Sequence, residues 1–274
     1  TAEEVVLSAI NKGFSALGFS DHAYTSYDLS YCMKDHGKYI KTINELKEKY
    51  KNEIQIYCGI EEDSWEFVDR DNFDYIVGSK HYMLINGGYY PVDSGEKTYE
   101  KCMELFNGDE MAFAKTYYEQ FVSYIKERRP DIVGHFDLIT KYDEKYNVFL
   151  NNPQYHSLSE KYMDYALEND VIFEINTGAM AKELRTSQYP YINLLHLMKK
   201  RNARITISSD SHHKDTIDFV DNYDNTMKEP TLLPVTFPSV LVNANTGIAV
   251  GMASSVCSFN LREICETTAA LIRD

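Results

Sequence analysis

The chain has 274 residues, 43% of them apolar, and a formal net charge of −14; it is long enough to bury a sizeable core, as one large α/β domain or as two smaller ones. The acidic balance argues against a general nucleic-acid binder, which would display basic patches, and no apolar run approaches the ~20 residues that a membrane helix needs. The five scattered cysteines (Cys32, Cys58, Cys102, Cys257 and Cys265) include no Cys-x-x-Cys pair, which points to reduced thiols and a cytoplasmic location.

The chain starts at Thr1 without Met and without a cationic-then-apolar leader, so loss of an initiator and of residues after it is expected. Val5, Val6, Ala9 and Ile10 have helical spacing and predict a helix over 2–14, closed by Gly13. A short strand over 16–20 ends in Asp21-His22. A helix over 36–50 leads to a strand over 54–60, followed by Glu61-Glu62-Asp63. The strand over 73–77 ends in Gly78-Ser-Lys-His81. Residues 99–129 read as a long helical stretch, interrupted near Gly108 and stopped by Pro130. The next strand, 131–135, ends in His135. A helix over 158–169, a strand over 171–176 and a helix over 191–201 follow. A last strand, 205–208, runs into Asp210-Ser-His212.

Strands alternating with helices of ten or more residues mean a parallel sheet, and right-handed crossovers put every strand's C-terminal end on one side. In barrels of this kind the active site forms at that rim. His22, Glu61, His81, His135, Asp210 and His212 all fall at or just past strand C-termini. Any one of them alone reads best as a surface or structural residue, but six at equivalent positions do not. Six nitrogen and oxygen donors exceed what one ion usually takes from a protein, so a cluster of two or three divalent ions is expected. The donors suit zinc, manganese and iron alike. Glu62 and Asp63 compete with Glu61, which is favoured because it comes first after the apolar run. Asp21 and Asp137 are candidates for orienting the imidazoles. His36 and His196 fall inside helices and read as structural; His156 and His213 do not share the pattern either.

Gly-Phe-Ser-Asp-His22, Gly-Ile-Glu61, Gly-Ser-Lys-His81, Val-Gly-His135-Phe-Asp and Ser-Ser-Asp210-Ser-His212 together resemble the motifs of the PHP (polymerase and histidinol phosphatase) superfamily, most closely its histidinol-phosphatases of histidine biosynthesis, over about 1–219. The resemblance implies a distorted (β/α)7 barrel with a trinuclear metal centre. In it Glu61 bridges two ions, His81 and His135 complete one of these, Asp210 binds the other, and His22 and His212 hold the third. Glu61 and Asp210 are then the catalytic carboxylates. Family members begin with a strand carrying His-x-His, and nothing before Ala2 supplies it, so a barrel missing its first strand is expected. Such a barrel has an incomplete cluster, impaired turnover and unpaired edges through which chains self-associate. The segment Glu174-Ile-Asn-Thr-Gly178 with Leu184-Arg185 and Tyr189-Pro190 resembles the family segment whose arginine grips phosphate. Arg185 is therefore the candidate phosphate ligand, with Lys80 second.

After Phe219 the character changes. Residues 218–274, above all Gly247-Ile-Ala-Val-Gly-Met-Ala253, resemble part of the A subunit of bacterial type II topoisomerases. In that family Ile248 would match an isoleucine that wedges between base pairs, while the catalytic tyrosine belongs to an upstream segment absent here. The two resemblances meet within 214–219, so a PHP barrel over 1–219 and a topoisomerase-like fragment over 220–274 are expected.

The function these resemblances imply is metal-dependent hydrolysis of a small phosphorylated substrate, histidinol phosphate, to the alcohol and phosphate. The alternatives are a DNA-binding fragment on an inert barrel, or a PHP phosphoesterase with another substrate. The charge decides against DNA: a titration with duplex DNA at low salt, where phosphate contacts are strongest, is expected to show no binding, and salt-sensitive binding would reverse that reading.

Overall fold

The computed structural model describes residues 1–182, 184–215 and 217, and beyond them the backbone of 219–221, 228–230, 245–249 and 252–256. The chain divides into two compact units, Thr1–Thr231 and Leu232–Asp274.

In the larger unit, helix α1 (Ala2–Asn11) precedes β1 (Ala16–Phe19), and α2 (His36–Tyr50) precedes β2 (Gln55–Asp63) and β3 (Tyr75–Ser79). A hairpin, β4 (Tyr82–Ile85) with β5 (Gly88–Pro91), follows at once. Helices α3 (Glu96–Leu105) and α4 (Glu110–Arg128) lead to β6 (Ile132–Val133). A short α5 (Asp143–Tyr146) and the longer α6 (Pro153–Leu167) lead to β7 (Ile172–Asn176). Then come α7 (Gly178–Ala181), α8 (Ile192–Lys200) and β8 (Ile205–Ser208). Two further antiparallel pairs are β9 (Phe219–Asp221) with β10 (Lys228–Pro230) and, in the smaller unit, β11 (Asn245–Ala249) with β12 (Met252–Val256). The side chains of the tail, Ile248 among them, lie outside the described residues.

Six strands form one sheet in the order β1-β2-β3-β6-β7-β8, and every pairing in it is parallel. The six predicted strands are all present, and the α/β half-barrel they build is the expected architecture. Among the described residues β1 and β8 are the two edges. The sheet curls so that the segments flanking these edges meet. Ser8 Oγ donates to the Lys214 carbonyl at 2.6 Å, Lys214 Nζ lies 3.2 Å from Glu4, and Ile217 packs on the cluster built around Val6, Ala9 and Ile43.

The interruption expected near Gly108 divides the long helical stretch into two helices: Asn107 and Gly108 adopt positive φ (53° and 77°), and Asp109 restarts the chain by capping α4 through the Ala112 amide. The hairpin at 82–91 was not expected; its turn residues Asn86 and Gly87 both have positive φ, as a tight two-residue turn requires.

One buried ion pair ties sheet to helix. Glu62, fully buried on β2, accepts both arms of Arg128 at 2.8 Å, the Tyr124 hydroxyl at 2.9 Å and the Val68 amide at 2.7 Å. The alternation of β2 turns Glu62 away from its neighbour Glu61, so it is a structural anion and not a competitor for the ligand role. Removing its guanidinium would leave a buried carboxylate short of donors. Arg128→Ala is expected to cost about 3–5 kcal/mol in denaturant unfolding; a change below about 1 kcal/mol would mean that solvent already screens the pair.

Candidate metal centre

β2 delivers Glu61 and Asp63, and the two residues that follow β3 are Lys80 and His81. The chain after β1 keeps pairing with β2 through a parallel bridge, His22 opposite Glu61, fixed by the Ala23 amide donating to the Glu61 carbonyl at 2.8 Å and the Glu61 amide donating to the Asp21 carbonyl at 3.0 Å. His22 is thus held over Glu61 by the sheet ladder itself.

The two histidines that follow inner strands are set by buried carboxylates. The His81 amide donates to Asp63 Oδ2 at 2.8 Å. The His135 amide donates to Glu174 Oε2 at 2.9 Å. Gly134 permits the second contact, since a Cβ there would lie 2.5 Å from Ser79 Oγ and 3.6 Å from Glu174 Oε2. Asp210, φ 45°, follows β8, and Gly178 lets the loop approach it: a Cβ on Gly178 would lie 2.8 Å from Asp210 Cβ and 2.9 Å from the Ser209 carbonyl.

The outcome is convergence on Glu61. Its Oε2 lies 3.2 Å from His22 Nδ1, and its Oε1 lies 3.2 Å from His135 Nε2 and 3.7 Å from His81 Nε2. The rings of His22 and His81, and of His81 and His135, are each 5.0 Å apart. One donor atom each from His22, Glu61 and His81 lie within 4.8 Å of one another. Asp210 and His212 line the same cavity of about 130 Å³, with His212 Nδ1 3.7 Å from Asp210 Oδ1 and its ring 6.4 Å from that of His22.

Burial alone would raise Glu61, but the imidazoles of His22, His135 and His81 hold it well below the usual carboxylate range. Burial works against a charged His81, yet Asp63, Asp93 and Glu61 raise it to about 10. His135 is raised by Glu61 against the same burial. The carboxylates of this rim thus draw positive charge onto neighbouring nitrogens, a demand that bound cations would meet directly. His81 Nδ1 lies 3.5 Å from Asp63 Oδ2, and the Nε2 atoms of His81 and His135 are turned to Glu61. Carboxylate and imidazole donors converging in this way fit one or more divalent ions.

Of the residues singled out in the sequence, His22, Glu61, His81, His135, Asp210 and His212 share this cavity. Arg185 does not line it. Its guanidinium is buried, stacked 4.1 Å from the Tyr189 ring centroid, and donates to Thr140 Oγ1 at 2.9 Å. Lys80 is buried as well, donating to the Tyr82 carbonyl at 3.0 Å, and burial depresses it to about 7. Asp137 accepts from the Tyr191 amide at 2.9 Å and lies beside Arg185, so it does not orient an imidazole. The cations that reach the cavity are Lys141 and Lys182, the latter 3.3 Å from His212 Nδ1. Asp93 and Tyr189 line it too. The sequence signal for Asp93 was the Asn-Gly turn of the hairpin that precedes it, and Tyr189 belonged to the segment singled out for Arg185; Lys141 and Lys182 had no local signal.

Residues 1–178 match the family model of the PHP domain, and residues 173–274 match that of the A chain of DNA gyrase/topoisomerase IV. A Schizosaccharomyces pombe protein named "Probable histidinol-phosphatase" is 30% identical over 236 residues, spanning 77% of this chain and 74% of that protein. A solved histidinol-phosphatase candidate from Listeria monocytogenes superposes with a TM-score of 0.64 at 20% identity, over 79% of this chain and 90% of the other. The histidinol phosphate phosphatase of Lactococcus lactis, solved with zinc, L-histidinol and phosphate, gives a TM-score of 0.57 at 19% identity, over 78% and 81%. At these identities the two structures speak for the fold alone. The gyrase A protein of Metamycoplasma arthritidis is 51% identical over 81 residues, which are 28% of this chain and 9% of that protein.

Metal binding is expected to raise the melting temperature in Zn²⁺ or Mn²⁺ by mass action, and to weaken as the pH falls, because protons compete for the imidazoles. Gly178→Ala, which forces the loop off Asp210, is expected to lower metal affinity about 10–100-fold, the range seen when support around a ligand is lost. Unchanged calorimetric affinity in that variant would take Asp210 out of the ligand set.

Proposed function

The chain belongs to the PHP-domain family, and on that premise we propose that it is a metal-dependent phosphomonoesterase of the histidinol-phosphatase kind, converting L-histidinol phosphate and water to L-histidinol and phosphate. The observation that carries this reading is the meeting of His22, Glu61, His81, His135, Asp210 and His212 in one cavity at the C-terminal rim of a parallel sheet. Those six residues would hold two or three ions, zinc, manganese or iron. Divalent cations bound there would polarise a phosphoryl oxygen and make water acidic enough to attack it near neutral pH.

The remaining lining suits a phosphate ester. Lys182 and Lys141 supply positive charge for phosphate oxygens. Tyr189 also lines the cavity, its ring stacked on the buried Arg185 guanidinium behind it. Leu138, Ala179 and Leu184 give the cavity an apolar wall that limits bulk water around the reacting phosphate. We place the reaction in the cytoplasm: Cys32, Cys58 and Cys102 are buried free thiols, and no helix among the described residues is long and apolar enough to cross a membrane.

Purified protein given Mn²⁺ or Zn²⁺ is expected to release phosphate from L-histidinol phosphate, to stop with a chelator and to recover when the ion is returned. Glu61→Gln is expected to lower kcat/KM by more than about 100-fold, as losing electrostatic support at a reacting centre does. Lys182→Met is expected to raise KM about tenfold, the worth of one charged hydrogen bond. No release with any divalent ion would sink the proposal, and preferential release from another ester in a panel would replace the substrate.

A further inference from the structure

We propose that Asp93 forms an ammonium-recognition subsite, selecting phosphate esters that carry a protonated amine a few bonds from the phosphate. The inference deepens the proposed reaction and rests on it for the phosphate end of the ligand.

Among the described residues three carboxylates line the cavity: Glu61, Asp210 and Asp93. Glu61 is committed to three imidazoles, and Asp210 lies beside His212. Asp93 comes from elsewhere. It follows the β4–β5 hairpin, and the Val92 amide donating to the His81 carbonyl at 2.8 Å ties its backbone to the end of β3. The Asp93 carbonyl accepts from Lys141 Nζ at 2.9 Å and from the Tyr142 hydroxyl at 2.7 Å. Its main chain is therefore pinned on both flanks while its carboxylate faces the cavity.

Lys141 divides its ammonium between the Asp93 carbonyl, at 2.9 Å, and Oδ2, at 3.3 Å, and a carboxylate offers about four acceptor sites, so a second cation can bind beside it. The side chain is only 19% exposed, so solvent screens it weakly, and an incoming ammonium would gain a charge-assisted hydrogen bond in a partly desolvated setting. A wall of Leu138, Ala179 and Leu184 lines the same cavity and suits the carbon skeleton joining amine to phosphate ester. A cavity of about 130 Å³ matches a small amino alcohol in scale.

The decisive measurement is calorimetric binding to the metal-loaded full chain, using L-histidinol and its amine-free analogue imidazolylpropanol. In Asp93→Asn, L-histidinol is expected to bind about tenfold or more weakly, with imidazolylpropanol unchanged within about twofold of its wild-type affinity. Lys141→Met, which removes the competing cation, is expected to move the ratio of the two affinities the other way, towards the amine. Equal weakening of both ligands by Asp93→Asn, or no amine preference in the wild type, overturns the proposal. If the amine preference depends on Asp93 but no phosphate is released from any ester, the subsite stands and the phosphatase reading falls.

Discussion

Five parallel pairings bring the C-terminal ends of six strands to one side of a curled sheet, and the residues that line the cavity are where they are because of that directionality. Parallel hydrogen bonds leave no choice of end: once β1, β2, β3, β6, β7 and β8 pair, the residues just past them must share a rim. Glu61 is the point through which the rest is connected. It is bridged to His22 by the ladder and reached by His81 and His135 from the strands on its other side.

Behind that rim runs a second row of carboxylates with a different task. Asp63 on β2 accepts from the His81 backbone, and Glu174 on β7 accepts from the His135 backbone. In each case a neighbouring strand fixes the residue's main chain, leaving the ring free to face the cavity. Preorganisation of this kind spends folding energy to hold donors where cations need them. Glu62, one residue from Glu61, shows the opposite use of the same side chain: facing Arg128 and Tyr124, it binds sheet to helix.

The sheet and its rim were legible in the sequence because apolar runs of fixed period report strands, and because the residues directly after each run must lie at its tip. The six residues that share the cavity came from that rule. The parts that escaped it had no periodicity to report. Arg185 carries the right chemistry in a fitting motif, yet its direction is settled by stacking on Tyr189 and bonding to Thr140, contacts 4 and 45 positions away in the chain. Lys141 and Lys182 reach the cavity from connecting segments, where position depends on the packed whole. The hairpin carrying Asp93 did have a local sign, Asn86-Gly87, but its tyrosine-rich flanks lack a clean alternation.

The chain contains a single tryptophan, Trp65. Its indole nitrogen donates to the Tyr82 carbonyl at 2.8 Å, the same oxygen that takes the Lys80 ammonium, which itself lies 4.4 Å from the indole centroid. Tyr82 begins the hairpin that carries Asp93, and His81 immediately precedes it. The molecule therefore has a built-in fluorophore seated against the residue that follows His81, and its emission reports that corner of the fold against a background of tyrosine alone.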